Sequence, residues 1–363
     1  MGAEPIGRNK WELDTPALCL DAAKLERNIA RMAEYVHSRG IALRPHAKTH
    51  KCPTVAWMQL RAGAIGITCA KLSEAEVLAQ AGIRDMLIAN QVVGPDKVTR
   101  LAALATYTRV LVAVDDADNA EAISTAAVSR GVTVGVLVEV DVGMHRCGVP
   151  AGEPALALAQ RVAALPGLRM EGLMGYEGQA VMIPDLAERT RVTREAMAQL
   201  IATRDLLLNA GLPVNIVSGA GTGTYAITGE VAGVTELQAG SYATMDARYR
   251  DLGAPFENAL TVLARVVSVT APDIAITDAG LKAMTTEFGM PALVGLEGWT
   301  VKGLAEEHGN LRRTGGRMLQ RGEPVEFIPS HGCTTINLHD AFYVTRNDVV
   351  EAVWPIAARG CIR

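Results

Sequence analysis

Over the first two-thirds of the chain, apolar β-branched runs alternate with amphipathic stretches, which predicts repeated strand–helix units and a parallel sheet. Eight runs read as strands: Ala17 to Asp21, Ile41 to Lys48, Gly66 to Ala70, Asp85 to Asn90, Arg109 to Asp115, Thr133 to Asp141, Arg169 to Gly178 and Pro213 to Gly219. Between them, positions such as Leu25, Ile29, Met32 and Val36 recur every three to four residues and put one apolar stripe on a helix face. Ser73 with Glu76 reads as a capping box opening another helix. Strands that are apolar throughout are buried on both faces, as in an open doubly wound sheet or a (β/α)8 barrel. Eight repeats within roughly 230 residues favour the TIM-type barrel.

The pattern changes after about residue 255. Thr261 to Val269, Ile274 to Thr277, Glu323 to Ile328, Ala341 to Val344 and Val349 to Trp354 read as strands with almost no helix between them, a mainly antiparallel β domain. The expected division is residues 1–255 for the barrel and 256–363 for the β domain. The extended segment 11–20 could join either part, and residues 1–16 could pack with the second domain. Glu306 to Gly322, polar and glycine-rich, is expected to be a surface hairpin loop.

Composition narrows the function. With 35 Lys+Arg against 39 Asp+Glu the net charge is −4, so no basic excess exists to neutralise phosphates and no nucleic-acid partner is expected. No apolar run approaches the ~18 residues of a bilayer span, and residues 1–5 show no basic region feeding an apolar one, so a cytoplasmic protein without membrane contact is expected. Six cysteines, without a C-x-x-C pair or regular spacing, do not form a disulfide framework.

Three segments carry candidate chemistry. Arg44-Pro-His-Ala-Lys48-Thr-His50-Lys51 ends an apolar strand. A lysine at a barrel-strand end, desolvated and hence less basic, suits Schiff-base formation, whereas a solvated basic loop is the plainer reading. Ser218-Gly-Ala-Gly221-Thr222-Gly223-Thr224 follows a late strand, and its backbone N–H groups and hydroxyls could cradle a phosphate or simply form a turn. His331-Gly-Cys333, read as extended chain, puts an imidazole and a thiol on the same side. They make either an open catalytic site for a borderline-soft divalent cation, or a buried cysteine beside an unrelated histidine. His37, His308 and His339 read as surface residues.

Taken in order, Leu43-Arg-Pro-His-Ala-Lys-Thr-His-Lys51, Val138-Glu-Val-Asp-Val-Gly-Met-His-Arg-Cys-Gly148, Thr235-Glu-Leu-Gln-Ala-Gly-Ser-Tyr242, Asp278-Ala-Gly-Leu-Lys282, the His331/Cys333 segment and Trp354-Pro-Ile-Ala-Ala-Arg-Gly360 resemble the D-threonine aldolase / D-serine dehydratase family. These are pyridoxal 5′-phosphate enzymes of the alanine-racemase-like fold type III, and the resemblance covers nearly the whole chain. It implies a (β/α)8 barrel followed by a β domain, paired as a homodimer, with a small amino acid as substrate. It makes Lys48 the Schiff-base lysine, sets Arg146 near the cofactor's phenolic oxygen and Tyr176 at its pyridine nitrogen, and assigns phosphate binding to the segments of Ser218, Gly221, Thr222, Gly223, Ser241 and Tyr242. His331 and Cys333 match ligands of a divalent metal: Zn²⁺, Mn²⁺ or Mg²⁺.

Two departures bear on the reaction. Aldolase members carry His-x-Asp at the metal and a histidine six residues beyond the barrel tyrosine, where this chain has His331-Gly-Cys333 and Met182. His-x-Cys is the dehydratase arrangement. The base for the β-hydroxyl proton would then be Glu177, His50 or metal-bound hydroxide. The resemblance implies retro-aldol cleavage of β-hydroxy-D-amino acids first, with D-serine or D-3-hydroxyaspartate dehydration as the alternative. A non-catalytic cofactor carrier of the same barrel type would end with the barrel, so the β domain argues against it.

Overall fold

The computed structural model describes residues 4–363; Met1 to Ala3, part of the segment read for targeting signals, lie outside them. The chain folds into two compact units, one formed by residues 32–48, 55–240 and 361–363, the other by residues 1–31, 49–54 and 241–360. This division interleaves along the chain, whereas the sequence reading expected a single cut near Pro255. No helix among the described residues is long and apolar enough to cross a membrane.

The first unit is a parallel barrel. Its strands are Ala42–Leu43, Ile67–Cys69, Asp85–Ile88, Arg109–Val114, Val134–Asp141, Leu168–Met174, Ile216–Gly219 and Glu236–Leu237. All neighbours pair in parallel. The ring closes where His46 bridges Thr68, with Thr68 N–H donating to Pro45 O at 2.9 Å and Ala47 N–H to Thr68 O at 2.8 Å. Val134 to Val140 are all buried, as continuously apolar strands require. At the strand starts, Arg44 is fully buried between Glu236, at 3.2 Å, and Asp85. Gly66 leaves room for it, since a Cβ there would collide with the guanidinium.

In the second unit one mainly antiparallel sheet runs through strands Trp299–Leu304, Gly309–Arg313, Ile274–Thr277, Leu260–Ala271, Ala17–Asp21, Ala341–Arg346 and Val349–Pro355, with Ala17–Asp21 parallel to Ala341–Arg346 and Pro324–Ile328 also pairing the long strand. Ala17–Asp21 is the first correction to the sequence reading. It pairs with residues 260–263 and 343–345 rather than in the barrel, and Ala17 and Cys19 pack with Leu13, Leu263 and Val350. The eighth barrel strand is instead Glu236–Leu237, too short for its pattern to show. The expected loop from Glu306 contains strand Gly309–Arg313, paired on both sides. The capping box also shifts: Glu74, not Glu76, accepts the Ala70 and Lys71 N–H groups at 2.7 and 3.2 Å, while Ser73 bonds the Arg363 carbonyl.

Candidate active site

In the barrel unit, four sequence-predicted residues meet beyond strand ends. Lys48 follows the extended segment that closes the ring, and its Nζ lies 6.0 Å from the centroid of the Tyr176 ring. Arg146, beyond strand Val134–Asp141, places its guanidinium carbon 5.7 Å from the same centroid. Tyr176 follows strand Leu168–Met174, and Gly221 follows strand Ile216–Gly219. A Cβ on Gly221 would sit 3.3 Å from the Tyr176 hydroxyl and 3.2 Å from Val181. These are C-terminal strand ends, where barrels carry their reactive groups, and two cations sharing one aromatic ring prepare the place for an anionic ligand. A water-sized gap beside them is lined by Glu139, Arg146, Cys147 and Tyr176. Burial raises the Glu139 carboxyl above its usual range, partly offset by a hydrogen bond from Gln91 and by the charge of Arg146.

The glycine-rich turn is shaped by its neighbours. Ala220 adopts a left-handed φ of 72°, and its N–H donates to Glu177 Oε2 at 3.2 Å. Thr228 donates its hydroxyl to Glu177 Oε1 at 2.5 Å, and Gly221 N–H donates to Thr224 Oγ1 at 3.1 Å. A Cβ on Gly223 would run into the Val181 carbonyl. Thr222 is buried in the same turn. Two sequence assignments change here. Glu177, with no exposed surface, holds this turn in place and is not positioned as a base. Ser218, also fully buried, donates to Glu236 at 2.8 Å and accepts from Gln238 at 2.8 Å, so its hydroxyl belongs to the Arg44 network rather than to a phosphate.

His331, Cys333, Ser241 and Tyr242 belong to the second unit. Strand alternation does not bring His331 and Cys333 together: His331 is the N-cap residue of the short helix Gly332–Ile336, which contains Cys333. Cys333 Sγ donates to Thr49 Oγ1 at 3.3 Å and lies 3.7 Å from Ser241 Oγ. Thr49 is the residue immediately after Lys48. Asp246, fully buried, contacts His331 Nδ1 at 3.0 Å and accepts the Gly332 N–H at 3.0 Å and the Tyr249 N–H at 2.9 Å. Nδ1 faces the carboxylate, the carboxylate–histidine arrangement that orients an imidazole in metal sites. Burial works to lower the His331 pKa, but the negative charge of Cys333 and the Asp246 hydrogen bond outweigh it and push it up to about 10. Phe288 lies over the imidazole, with ring centroids 4.6 Å apart.

Tyr242 is fully buried and packs on Phe256 at 5.6 Å. His50 is also fully buried, and its Nδ1 accepts the Cys52 N–H at 3.1 Å. His339, expected on the surface, is half-buried against the Ala283 carbonyl at 2.7 Å. Asp246 and Phe288 escaped the sequence reading.

The family model of the alanine racemase N-terminal domain matches residues 20–248, well over half of the chain. The chain belongs to the alanine racemase N-terminal domain family. In this member the barrel is followed by a match to the putative serine dehydratase domain over residues 259–345, which contains His331 and Cys333. It is 43% identical to a D-threonine aldolase of Arthrobacter sp, over 99% of this chain and 95% of that protein. The crystal structure of D-threonine aldolase from Filomicrobium marinum superposes with a TM-score of 0.96 at 40% identity, covering 100% of both chains. A D-threo-3-hydroxyaspartate dehydratase, solved as a cysteine-to-alanine mutant in the metal-free form, superposes at 0.88 with 30% identity over 96% of this chain and 98% of that one.

The two candidate groups of the alanine racemase-like member fit their chemistry differently. Gly221 and Gly223 pack closely on Tyr176 and Val181 at a strand end, beside a lysine and an arginine, and this glycine turn next to two cations fits pyridoxal 5′-phosphate. An imidazole oriented by a buried carboxylate and a neighbouring thiol fit a borderline-soft divalent cation. Among the described residues no cluster of three or more His, Cys, Asp or Glu is arranged around a metal, so the remaining positions would fall to water and substrate.

Proposed function

We propose that this chain is a pyridoxal 5′-phosphate-dependent lyase that cleaves β-hydroxy-D-amino acids of the threonine and phenylserine kind to glycine and an aldehyde. The observation that carries this reading is the meeting of Lys48, Arg146 and Tyr176 beside a turn that only glycine fits, in a chain 43% identical to a D-threonine aldolase along nearly its whole length. Bound there, pyridoxal 5′-phosphate supplies the sink for the electron pair left when the Cα–Cβ bond breaks.

Lys48 is the attachment point for the cofactor. Arg146 would offer a fixed positive charge to its phenolic oxygen, and Tyr176 would face its pyridine nitrogen with a neutral phenol. The backbone of residues 222 and 223, in the turn held by Glu177 and Thr224, would offer N–H groups to the phosphate. His331 and Cys333 would hold a divalent cation, which supplies Lewis acidity to the substrate's β-hydroxyl. Of the groups weighed for taking that proton, Glu177 and His50 are fully buried and already bonded, which supports the third, at the site of His331 and Cys333. The thiol of Cys333 favours zinc. A cytoplasmic homodimer completes the proposal.

The His-x-Cys spacing favours one rival, loss of the β-hydroxyl to give a 2-oxo acid and ammonia. Borohydride treatment of the purified protein supplied with pyridoxal 5′-phosphate, followed by peptide mapping, tests the shared part of both readings. The label should fall on Lys48, and Lys48→Ala should lose both label and turnover. A label on Lys51 or Lys71, or none, would overturn the assignment.

A further inference from the structure

The two residues that flank the metal-ligand candidates from the loop at 285–288 have no role in the reaction as described, yet they are fixed beside it. Thr334, next to Cys333, donates its hydroxyl to Glu287 and lies 2.7 Å from Thr285 Oγ1. Thr285 N–H donates to Thr335 Oγ1 at 3.2 Å, and Ser330 donates to the Thr285 carbonyl at 2.9 Å. These bonds tie the loop to the segment carrying His331 and Cys333, so Glu287 and Phe288 are held in place rather than drifting in solvent. The Phe288 ring covers His331 at 4.6 Å with an interplanar angle of 59°, and is itself 40% exposed. The open part of the ring lies beside the imidazole it covers, so an aromatic face borders the candidate cation site.

We propose that Phe288 and Glu287 determine which β-substituent the enzyme accepts, selecting uncharged and preferentially aromatic groups over a carboxylate. The proposal rests on the lyase reading, in which the β-hydroxyl of the substrate is drawn to a cation at His331 and Cys333. A metal-bound imidazole nitrogen sits about 2 Å from its ion. Any group on the β-carbon lies two bonds from the β-oxygen, so it falls among the neighbours of His331. Those neighbours are an aromatic face and a carboxylate. The face favours an aryl substituent, by roughly two- to twelvefold for an aromatic pair. The carboxylate repels a second carboxylate, such as that of 3-hydroxyaspartate.

The test compares D-phenylserine, D-threonine and D-3-hydroxyaspartate as substrates of the holoenzyme and of Phe288→Ala, Phe288→Leu and Glu287→Gln. Phe288→Leu keeps apolar bulk and guards against a folding defect, and metal content is measured for each. The phenylserine-to-threonine ratio of kcat/KM should fall about tenfold in Phe288→Ala, mostly through KM, and the hydroxyaspartate-to-threonine ratio should rise at least threefold in Glu287→Gln. Calorimetric titration with benzohydroxamate and acetohydroxamate, metal-binding probes that are not turned over, should show an aryl preference that Phe288→Ala erases. Cleavage with both ratios unchanged, or an aryl preference that survives Phe288→Ala, would overturn the proposal alone. No cleavage of any β-hydroxy-D-amino acid would overturn the lyase reading and the proposal with it.

Discussion

Asp246→Asn is the substitution that most sharply separates a built metal site from an accidental pair of side chains. Asp246 spends three interactions at zero exposure: Oδ1 accepts the Tyr249 N–H, capping helix Ala247–Asp251, while Oδ2 meets the Gly332 N–H and His331 Nδ1. Asparagine caps a helix as well as aspartate, so its oxygen can stay on Tyr249 at little cost. Its amide NH₂ then faces His331 Nδ1 and the Gly332 N–H. Donor against donor is unfavourable, and the imidazole relieves it by moving its proton to Nε2, the nitrogen a cation needs bare. The lost hydrogen bond to a charged group is worth about 1.5–3 kcal/mol. Removing an orienting carboxylate from a metal-bound histidine typically costs about 10–100-fold in metal affinity. Zinc affinity measured by competition with a chromophoric chelator should therefore weaken by at least tenfold, with cofactor absorbance retained. A change below threefold, in a variant that unfolds at the wild-type temperature, would refute the orienting role.

Gly223→Ala forces a methyl into the Val181 carbonyl, and overpacking of this kind costs about 1–3 kcal/mol; cofactor affinity, read by absorbance titration, should drop at least tenfold, and unchanged affinity would remove the turn from the phosphate site. Glu177→Gln should weaken cofactor binding and lower the melting temperature without shifting the pH profile of kcat, because Glu177 holds the turn at Ala220 and Thr228; a loss of kcat above about 100-fold with normal cofactor affinity would restore it as a base. Burial lowers the His339 pKa below 6.5, against a smaller raising effect of its bond to Ala283. The unfolded chain therefore takes up that proton first as pH falls, so this contribution to stability is full above pH 6.5 and declines below it. The fall in melting temperature between pH 7.5 and 5.5 should be smaller in His339→Gln than in wild type, and an equal fall would contradict the assignment.

The barrel was legible because continuously apolar strands alternate with amphipathic helices, a pattern set by burial of both sheet faces. Ala17–Asp21 was not, since four apolar residues and an aspartate carry no mark of which sheet they join, and its partners are far away in sequence at 260–263 and 343–345. Glu236–Leu237 is too short to show any period. In the site, Lys48 stands out as a basic residue at a strand end and the glycines at 221 and 223 as a turn, whereas Arg146 and Tyr176 were legible only through the family resemblance. Sequence could not tell a hydroxyl facing a ligand from one facing the barrel interior, as Ser218 does, nor a reactive carboxylate from one that braces a turn, as Glu177 does. Asp246 lies 85 residues from the histidine it orients, a pairing made only by the tertiary fold.

The lyase reading is tested most directly by the products formed from D-threonine, on which both candidate reactions balance. Retro-aldol cleavage divides it into glycine and acetaldehyde, whereas dehydration followed by hydrolysis gives 2-oxobutyrate and ammonia. Quantified together from one incubation of the metal-supplemented holoenzyme, glycine and acetaldehyde should appear in equal amounts, and L-threonine should yield neither. Ammonia and 2-oxobutyrate without glycine would contradict the account.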